Sequence, residues 1–172
     1  MYVKYFITKY DPSLFDDYGI YEGEEWKNIN DIGKRINGQN LNKQEYLKTE
    51  KKYISAVEYL MQVNGIESLC VADFHILDND NEKRYPEFYG NDLLEVKELM
   101  SEGMVVKGRQ IEYVLSLLLR SDIECRLYSP DEHFIIIISD EFYMTVICRN
   151  LQKAVIEKIA DKGLFTTISK WY

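Results

Sequence analysis

The sequence has few of the side chains from which metal sites and disulfide scaffolds are built. Its 172 residues include two histidines and three cysteines, and no CxxC pair occurs. Structural zinc needs such ligands in close pairs, so no zinc site is expected. Cys70, Cys125 and Cys148 lie far apart in apolar runs. This pattern excludes a secreted disulfide scaffold and predicts buried thiols in a reducing, cytoplasmic location.

Long apolar runs are also missing. The longest uncharged ones, such as residues 113–119 and 133–139, fall well short of the roughly 20 residues that span a bilayer. The first apolar stretch contains Lys4 and Lys9, unlike the apolar centre of a signal peptide. We therefore expect a cytoplasmic protein that has no membrane partner.

Glycine and basic residues are too few or wrongly placed for phosphate binding. None of the nine glycines forms the Gly-rich turn between strand and helix that cradles phosphate. Lys and Arg number 21 against 29 Asp and Glu, which gives a net charge of −8. Since contacts with phosphate need positive charge, direct nucleic-acid binding is not expected, and a basic protein is the expected partner.

The first two thirds of the chain alternate between strand and helix signals. Residues 1–10 predict a strand, Asn37-Gly38 marks a turn, and Asn42 caps a long amphipathic helix over 41–63 that Gly65 ends. Further along, the pattern predicts a strand over 68–77, a polar loop over 78–84, a helix over 91–100 capped by Asn91, and a mostly buried helix over 110–120.

The last third has the period of strands. Residues 123–128, 134–138 and 142–148 predict three strands separated by turns so short that only hairpins fit, so they form an antiparallel meander. Asn150 is expected to cap a helix that ends at Gly163, before a last strand over 164–169. No linker or repeat divides residues 1–172. We therefore predict a single α+β domain, with several helices packed on a mostly antiparallel sheet.

No arrangement of acids, bases and nucleophiles matches a catalytic motif. Residues 78–82 begin like a calcium loop, but Lys83 replaces its glycine and Tyr89 its bidentate glutamate. His75 and His133 have no nucleophile motif beside them, and adjacent carboxylates are typical of solvated turns. We predict no catalytic residue, no metal ligand and no cofactor.

The segment over residues 11–26 has an unusual composition. It contains six carboxylates, no basic side chain, and interleaved Tyr, Phe and Trp. Without a regular period it predicts an exposed loop. Carboxylates speed encounter with a basic partner, and aromatic side chains carry binding energy at interfaces. Alternatively, the aromatic rings pack into the core and the acids only keep the protein soluble.

The N-terminal third resembles a known class of binding protein. The segments Asp17-Tyr18-Gly19-Ile20-Tyr21 and Trp26-Lys27-Asn28-Ile29-Asn30-Asp31-Ile32-Gly33, followed by the capped helix from Asn42, are similar to immunity proteins that accompany contact-dependent growth inhibition toxins of bacteria. The resemblance implies a small cytoplasmic protein without enzymatic activity. It also implies a partner, the C-terminal domain of the cognate toxin, which is commonly a nuclease and therefore basic.

These observations lead to the hypothesis of an immunity protein that neutralises a toxin domain, most often a nuclease, by stoichiometric binding. The predicted contact residues are Asp16, Asp17, Tyr18, Tyr21, Glu22, Glu24 and Glu25, with Asp131, Glu132, Asp140 and Glu141 as a second patch. Two alternatives remain open. One is a small carboxylate-based enzyme with a divalent metal held by Asp78, Asp80 or the Asp131-Glu132 pair. The other is an adaptor or structural subunit that presents an apolar helix face.

Overall fold

The computed structural model describes residues 2–168. Its strands are β1 (Tyr2–Thr8), β2 (Arg35–Ile36), β3 (Gln39–Asn40), β4 (Ser68–Ile76), β5 (Val105–Lys107), β6 (Ile123–Tyr128), β7 (Ile135–Ser139), β8 (Tyr143–Arg149) and β9 (Phe165–Ile168). Its helices are α1 (Lys43–Asn64), α2 (Asn81–Arg84), α3 (Asn91–Leu99), α4 (Arg109–Leu119) and α5 (Lys153–Asp161). The predicted α+β domain is confirmed.

Seven strands form one sheet in the order β5-β4-β6-β7-β8-β1-β9, and every neighbouring pair is antiparallel. The predicted meander is the consecutive run β6-β7-β8. β1 joins the far side of β8, so the two ends of the described chain lie side by side at one edge of the sheet. The outermost residues of the predicted first and last strands, Met1 and Ser169, lie outside the described residues.

Local signals set the bounds of the first helix and the small hairpin before it. The Asn42 side chain accepts a hydrogen bond from the Glu45 backbone N–H at 2.8 Å, and Gly65 ends α1 in the left-handed region with φ 68°. Asn37 and Gly38, with φ of 48° and 76°, join β2 to β3. Positive φ at both central residues matches the twist of a two-residue hairpin.

Two predicted helix caps are wrong. Gly90, not Asn91, is the cap of α3, and Asn91 is its first helical residue. α5 is capped by Gln152 and begins at Lys153, because Asn150 is engaged elsewhere. The Asn150 side chain accepts a hydrogen bond from the Tyr5 hydroxyl at 2.8 Å, and that hydroxyl accepts another from the Leu151 N–H at 2.7 Å.

Several short elements were missed by the sequence patterns, among them α2 and β5. The predicted loop over 78–84 contains α2, a single turn held by hydrogen bonds from the N–H groups of Arg84 and Tyr85. β5 is only three residues long and pairs with β4 over Ser68–Cys70. Elements of three or four residues are too short to show a period.

All the longer helices pack on one face of the sheet. Along β6 and β8, alternate residues are buried while their neighbours stay half-buried or exposed. The buried residues form one core with α1 and α4, which includes Tyr5, Ile7, Leu69, Val71, Leu127, Val146, Tyr53, Val57, Leu60 and Leu115. No helix covers the other face of the sheet within residues 2–168.

The expected thiol burial is confirmed at two of three positions. Cys125 and Cys148 are buried and Cys70 is half-buried. Burial raises the pKa of the Cys148 thiol to about 11. In the described part of the chain, no helix has both the length and the apolar character needed to cross a bilayer.

Candidate partner-binding surface

The uncovered face of the sheet is lined by rows of mixed apolar and polar side chains. Strand pairing places Phe6, Thr145, Ile137 and Arg126 in one row across β1, β8, β7 and β6. A second row contains Lys4, Ile147, Ile135 and Tyr128. Ile137 keeps 37% of its surface exposed and Tyr2 at the end of β1 keeps 45%. A half-apolar surface of this kind is typical of a protein interface.

The sequence carried an unused signal for this face. The run Phe134–Ile138 is apolar at every position, whereas a strand with one solvated face alternates apolar and polar residues. Phe134, Ile136 and Ile138 are buried, and Ile135 and Ile137 point to the open face.

The acidic segment folds back against one end of this face. Phe15 lies 6.2 Å from Phe6 and 6.4 Å from Tyr143 between ring centroids, and a β-bridge joins Phe15 to Tyr21. Tyr21 packs 4.6 Å from Tyr10. The prediction of an exposed loop therefore holds only in part, because the Phe15 and Tyr21 rings anchor the segment while its tip stays in solvent. A Cβ at Gly23 would overlap the end of the Tyr21 ring, so a larger residue there requires that anchored ring to shift.

The tip of this segment is exposed and contains three of the predicted contact residues, Asp17, Tyr18 and Glu22. Tyr18 and Ile20 are 84% and 63% exposed, and Asp17 and Glu22 are exposed as well. Asp16 instead holds the turn, because one oxygen of its carboxylate accepts hydrogen bonds from the backbone N–H groups of Tyr18 and Ile20 at 2.9 and 2.7 Å.

The structure brings one of the two predicted turn pairs next to this segment. Glu141 forms an ion pair with Lys27 at 3.4 Å, and together they line a depression of about 400 Å³ with Gly19, Ile20, Tyr21, Phe6 and Tyr143. Asp140 precedes Glu141 and is exposed. The acidic segment and the Asp140-Glu141 turn therefore form one edge of the open face.

Buried tyrosines fix the backbone of that turn. Glu141 and Phe142 have φ of 65° and 64°, a region that costs energy for residues other than glycine. The Tyr10 hydroxyl donates to the Glu141 carbonyl and the Tyr53 hydroxyl to the Phe142 carbonyl, each at 2.7 Å. Burial raises the pKa of both tyrosines, so the hydroxyls stay protonated and remain donors.

The other predicted turn pair lies far from this edge. Asp131 and Glu132 belong to the β6–β7 hairpin, at the opposite end of β7 from Asp140. The Asp131 carboxylate accepts hydrogen bonds from the Ser129 hydroxyl and the His133 N–H, which lower its pKa. Its contacts are those of a turn residue. The imidazole of His133 stacks on Tyr2 at 5.1 Å.

Glu24 and Glu25 face a different side of the molecule from Asp17 and Glu22. They line a cleft of about 320 Å³ between the acidic segment, the β2–β3 hairpin and α1. One Glu24 oxygen accepts the Asn37 N–H at 3.1 Å, and one Glu25 oxygen lies 3.4 Å from the Lys9 Nζ. Both carboxylates therefore have partners within the chain.

Lys9 is the most buried cation in this cleft. Its ammonium group donates to the Trp26 carbonyl and lies 3.8 and 4.4 Å from the ring centroids of Trp26 and Tyr10. Burial lowers the pKa of Lys9 to about 8, against the opposing attraction of Glu25. Lys9 thereby attaches the C-terminal end of the acidic segment to the end of β1.

The lowered pKa of Lys9 predicts a measurable pH dependence. In the unfolded chain the Lys9 amine keeps its proton up to about pH 10.4. Between pH 8 and 10 the unfolded state therefore binds more protons than the folded state. The free energy of unfolding should then rise with pH. From pH 7 to 9.5 we expect wild type to gain about 1–2 kcal/mol relative to a Lys9→Met variant in urea unfolding. If the free energies of unfolding of the two proteins change with pH in parallel, the Lys9 amine is not desolvated in the folded state.

Sequence patterns also missed a buried polar cluster formed by Glu50, Asn81, Tyr89, Arg120 and Asp122. Arg120 Nε and Nη2 donate to the two Glu50 oxygens at 2.9 and 2.6 Å, and its Nη1 donates to the Phe88 carbonyl at 2.7 Å. Asp122 accepts the Tyr89 hydroxyl at 2.7 Å and the Asn81 amide at 3.1 Å. This cluster connects α1 and α2 to the end of α4 and the start of β6.

Within residues 2–168, no three His, Cys, Asp or Glu side chains are grouped as a metal site requires. Comparison of the chain with protein-family models, with curated proteins and with solved structures finds no match.

Proposed function

We propose that this chain is an immunity protein that neutralises, by stoichiometric binding, the basic C-terminal domain of a bacterial toxin. The expected type of toxin domain is a nuclease. The observation that supports the proposal best is the open sheet face with an acidic edge. Its middle has four apolar side chains, Phe6, Ile135, Ile137 and Ile147, in rows that also contain Lys4, Thr145 and Arg126. One end bears the exposed carboxylates of Asp17, Glu22 and Asp140, beside Glu141, which is paired with Lys27. Apolar side chains inside a charged rim are the usual anatomy of a protein interface.

The charge of the chain favours a basic partner. The net charge is −8, and a nuclease must be positively charged to hold the phosphates of its substrate. An acidic rim raises the rate at which such a domain is encountered, and the apolar middle supplies the contact that holds it.

Co-expression tests the proposal directly. We expect the gene next to the one that encodes this chain to encode a large surface protein. Its C-terminal domain should kill cells that lack the chain and spare cells that express it. The purified domain and chain should elute together at a ratio of one to one. Killing that the chain does not prevent, or separate elution of the two proteins, would refute the proposal.

The exposed carboxylates give a kinetic prediction. Asp16, Glu24 and Glu25 have contacts within the chain, so the informative variant is Asp17→Asn with Glu22→Gln. Its association rate with the toxin domain should fall about two- to tenfold at low salt, and the difference should disappear at high salt. Stopped-flow fluorescence measures both rates.

A matched control removes the same charge elsewhere. Glu67 and Glu98 are exposed carboxylates outside the open face, so Glu67→Gln with Glu98→Gln changes the net charge equally. An equal slowing in this variant would show that only net charge matters, and would remove the acidic segment from the interface.

A further inference from the structure

β6 and β7 are paired along only part of their length. Arg126–Tyr128 pair with Ile135–Ile137, and there the ladder stops. Beyond that point β6 stays paired with β4 through Glu124 and Ile123, and β7 stays paired with β8 through Ser139. Each strand is held by its outer neighbour, so the sheet has an opening in its middle.

The opening is a cavity of about 380 Å³ with an apolar floor. The floor consists of Leu118 from α4 with Ile123, Cys125 and Ile138, all at most 5% exposed. Alternate residues of a strand direct their backbone groups to opposite neighbours. One of Glu124 and Cys125, and one of Ile138 and Ser139, therefore direct N–H and C=O groups into the opening.

Charged side chains surround the mouth of this cavity. Arg126 Nε lies 3.2 Å from an oxygen of Asp73, so these two charges compensate each other. Glu124 and Asp140 also line the mouth, and within residues 2–168 neither carboxylate takes part in an ion pair. Asp140 accepts one hydrogen bond, from the Ser121 hydroxyl at 2.9 Å. The mouth therefore keeps two uncompensated negative charges.

The pKa of the Cys125 thiol on the cavity floor is affected by burial and by nearby carboxylates. Burial raises the pKa of Cys125, and the carboxylates of Glu102, Asp73 and Glu124 raise it further. Burial itself disfavours any charge, but the part of the shift that comes from the carboxylates has the sign that favours a cation near the mouth.

We propose that this cavity receives an arginine side chain of the basic partner, as the anchor of the interface on the open sheet face. The aliphatic stem packs on Ile137, which lines the opening on the open face. The guanidinium group lies between Glu124 and Asp140, where its planar array of five N–H donors matches carboxylate oxygens and the backbone carbonyls at the edges of the opening. The inference rests on the proposed function, which supplies the basic partner.

Peptide titration tests the cavity without the toxin. The probe is Gly-Gly-Arg-Gly-Gly, compared with the same peptide carrying lysine or uncharged citrulline, at constant ionic strength. We expect saturable amide shifts confined to residues 123–126 and 137–140 in ¹H–¹⁵N spectra. The arginine peptide should bind at least about threefold more tightly than the lysine peptide, and the citrulline peptide should not saturate.

Variants at the mouth separate this site from general attraction to an acidic protein. Glu124→Gln with Asp140→Asn should weaken arginine binding at least about fivefold, and Ser139→Trp should block it by filling the mouth. Glu132→Gln, at the other end of β7, should leave it unchanged. The proposal is wrong if the citrulline or lysine peptide binds as tightly as the arginine peptide, or if all variants lose the same affinity for the arginine peptide.

The peptide result and the co-expression result are independent. Protection from the toxin without arginine binding keeps the proposed function and refutes the arginine site. Arginine binding without protection keeps the site and refutes the proposed function.

Discussion

Replacing Arg120 by methionine is expected to lower the free energy of unfolding by about 3–5 kcal/mol. The Arg120 and Glu50 side chains are each only 5% exposed, and two hydrogen bonds join them. Loss of the guanidinium group leaves a buried carboxylate without its cation and the Phe88 carbonyl without its donor. An uncompensated buried charge is the costly outcome, more than the loss of the pair itself.

A double-mutant cycle distinguishes this mechanism from loss of packing. Glu50→Leu alone should be as harmful as Arg120→Met, but the double variant should lose clearly less than the sum, because neither charge is then left behind. Urea unfolding of the four proteins gives the coupling energy. Lys153→Met, which breaks the exposed Lys153–Glu157 pair, is the control, and it should cause no measurable loss. Additive single effects would contradict the ion-pair mechanism.

The Glu50–Arg120 ion pair is also connected to the candidate interface. Arg120 ends α4, and Asp122 precedes β6, the strand that forms one wall of the cavity. The Asp122 carbonyl also accepts the Leu77 N–H at 3.0 Å, next to the end of β4. A variant of Arg120 that still folds should therefore alter the amide spectrum of residues 123–126 as well as stability.

Ile137→Lys should weaken binding of the toxin domain by at least about 100-fold, or about 2.7 kcal/mol. Ile137 lies in the middle of the open face, between Arg126 and Thr145 in its row. A lysine there places a charge of the partner's own sign at the centre of the contact and prevents close apolar packing. The side chain is already 37% exposed, so the fold should tolerate the change.

Leu47 provides the matched control for that variant. It is 36% exposed and lies on α1, in the helical layer. Leu47→Lys makes the same chemical change at the same exposure on the other side of the molecule. Isothermal titration of both variants against the toxin domain should show the loss for Ile137→Lys alone. Equal affinity of the two would exclude the open sheet face as the interface.

Elements governed by neighbours in the chain could be predicted well. Asn42 and Gly65 bound α1 because capping is an interaction within one turn, and the short turns of the meander allow no connection other than a hairpin. The cap predicted at Asn150 is wrong because a side chain that can cap a helix can also bond elsewhere, as Asn150 does with Tyr5, 145 positions away. At Asn91 the helix begins one residue earlier than predicted, with Gly90 as its cap.

The candidate site could be predicted only in part. The sequence identified the acidic residues, but not that Asp17 and Glu22 point to solvent while Glu24 and Glu25 bind Asn37 and Lys9 within the chain. It also treated Asp131-Glu132 and Asp140-Glu141 as one patch, although β7 separates them. Composition gives the number of charged residues, but only the folded chain determines where each carboxylate points.

The sequence by itself determined the acidic charge, the class of fold and the position of most helices and strands, since these follow from composition and from contacts between near neighbours. Tertiary structure decided which face of the sheet stays open, where β6 separates from β7, and that Glu50 meets Arg120 across 70 residues. The physical reason is that these features depend on pairings between distant segments. Such pairings form only when the whole chain buries its apolar surface together.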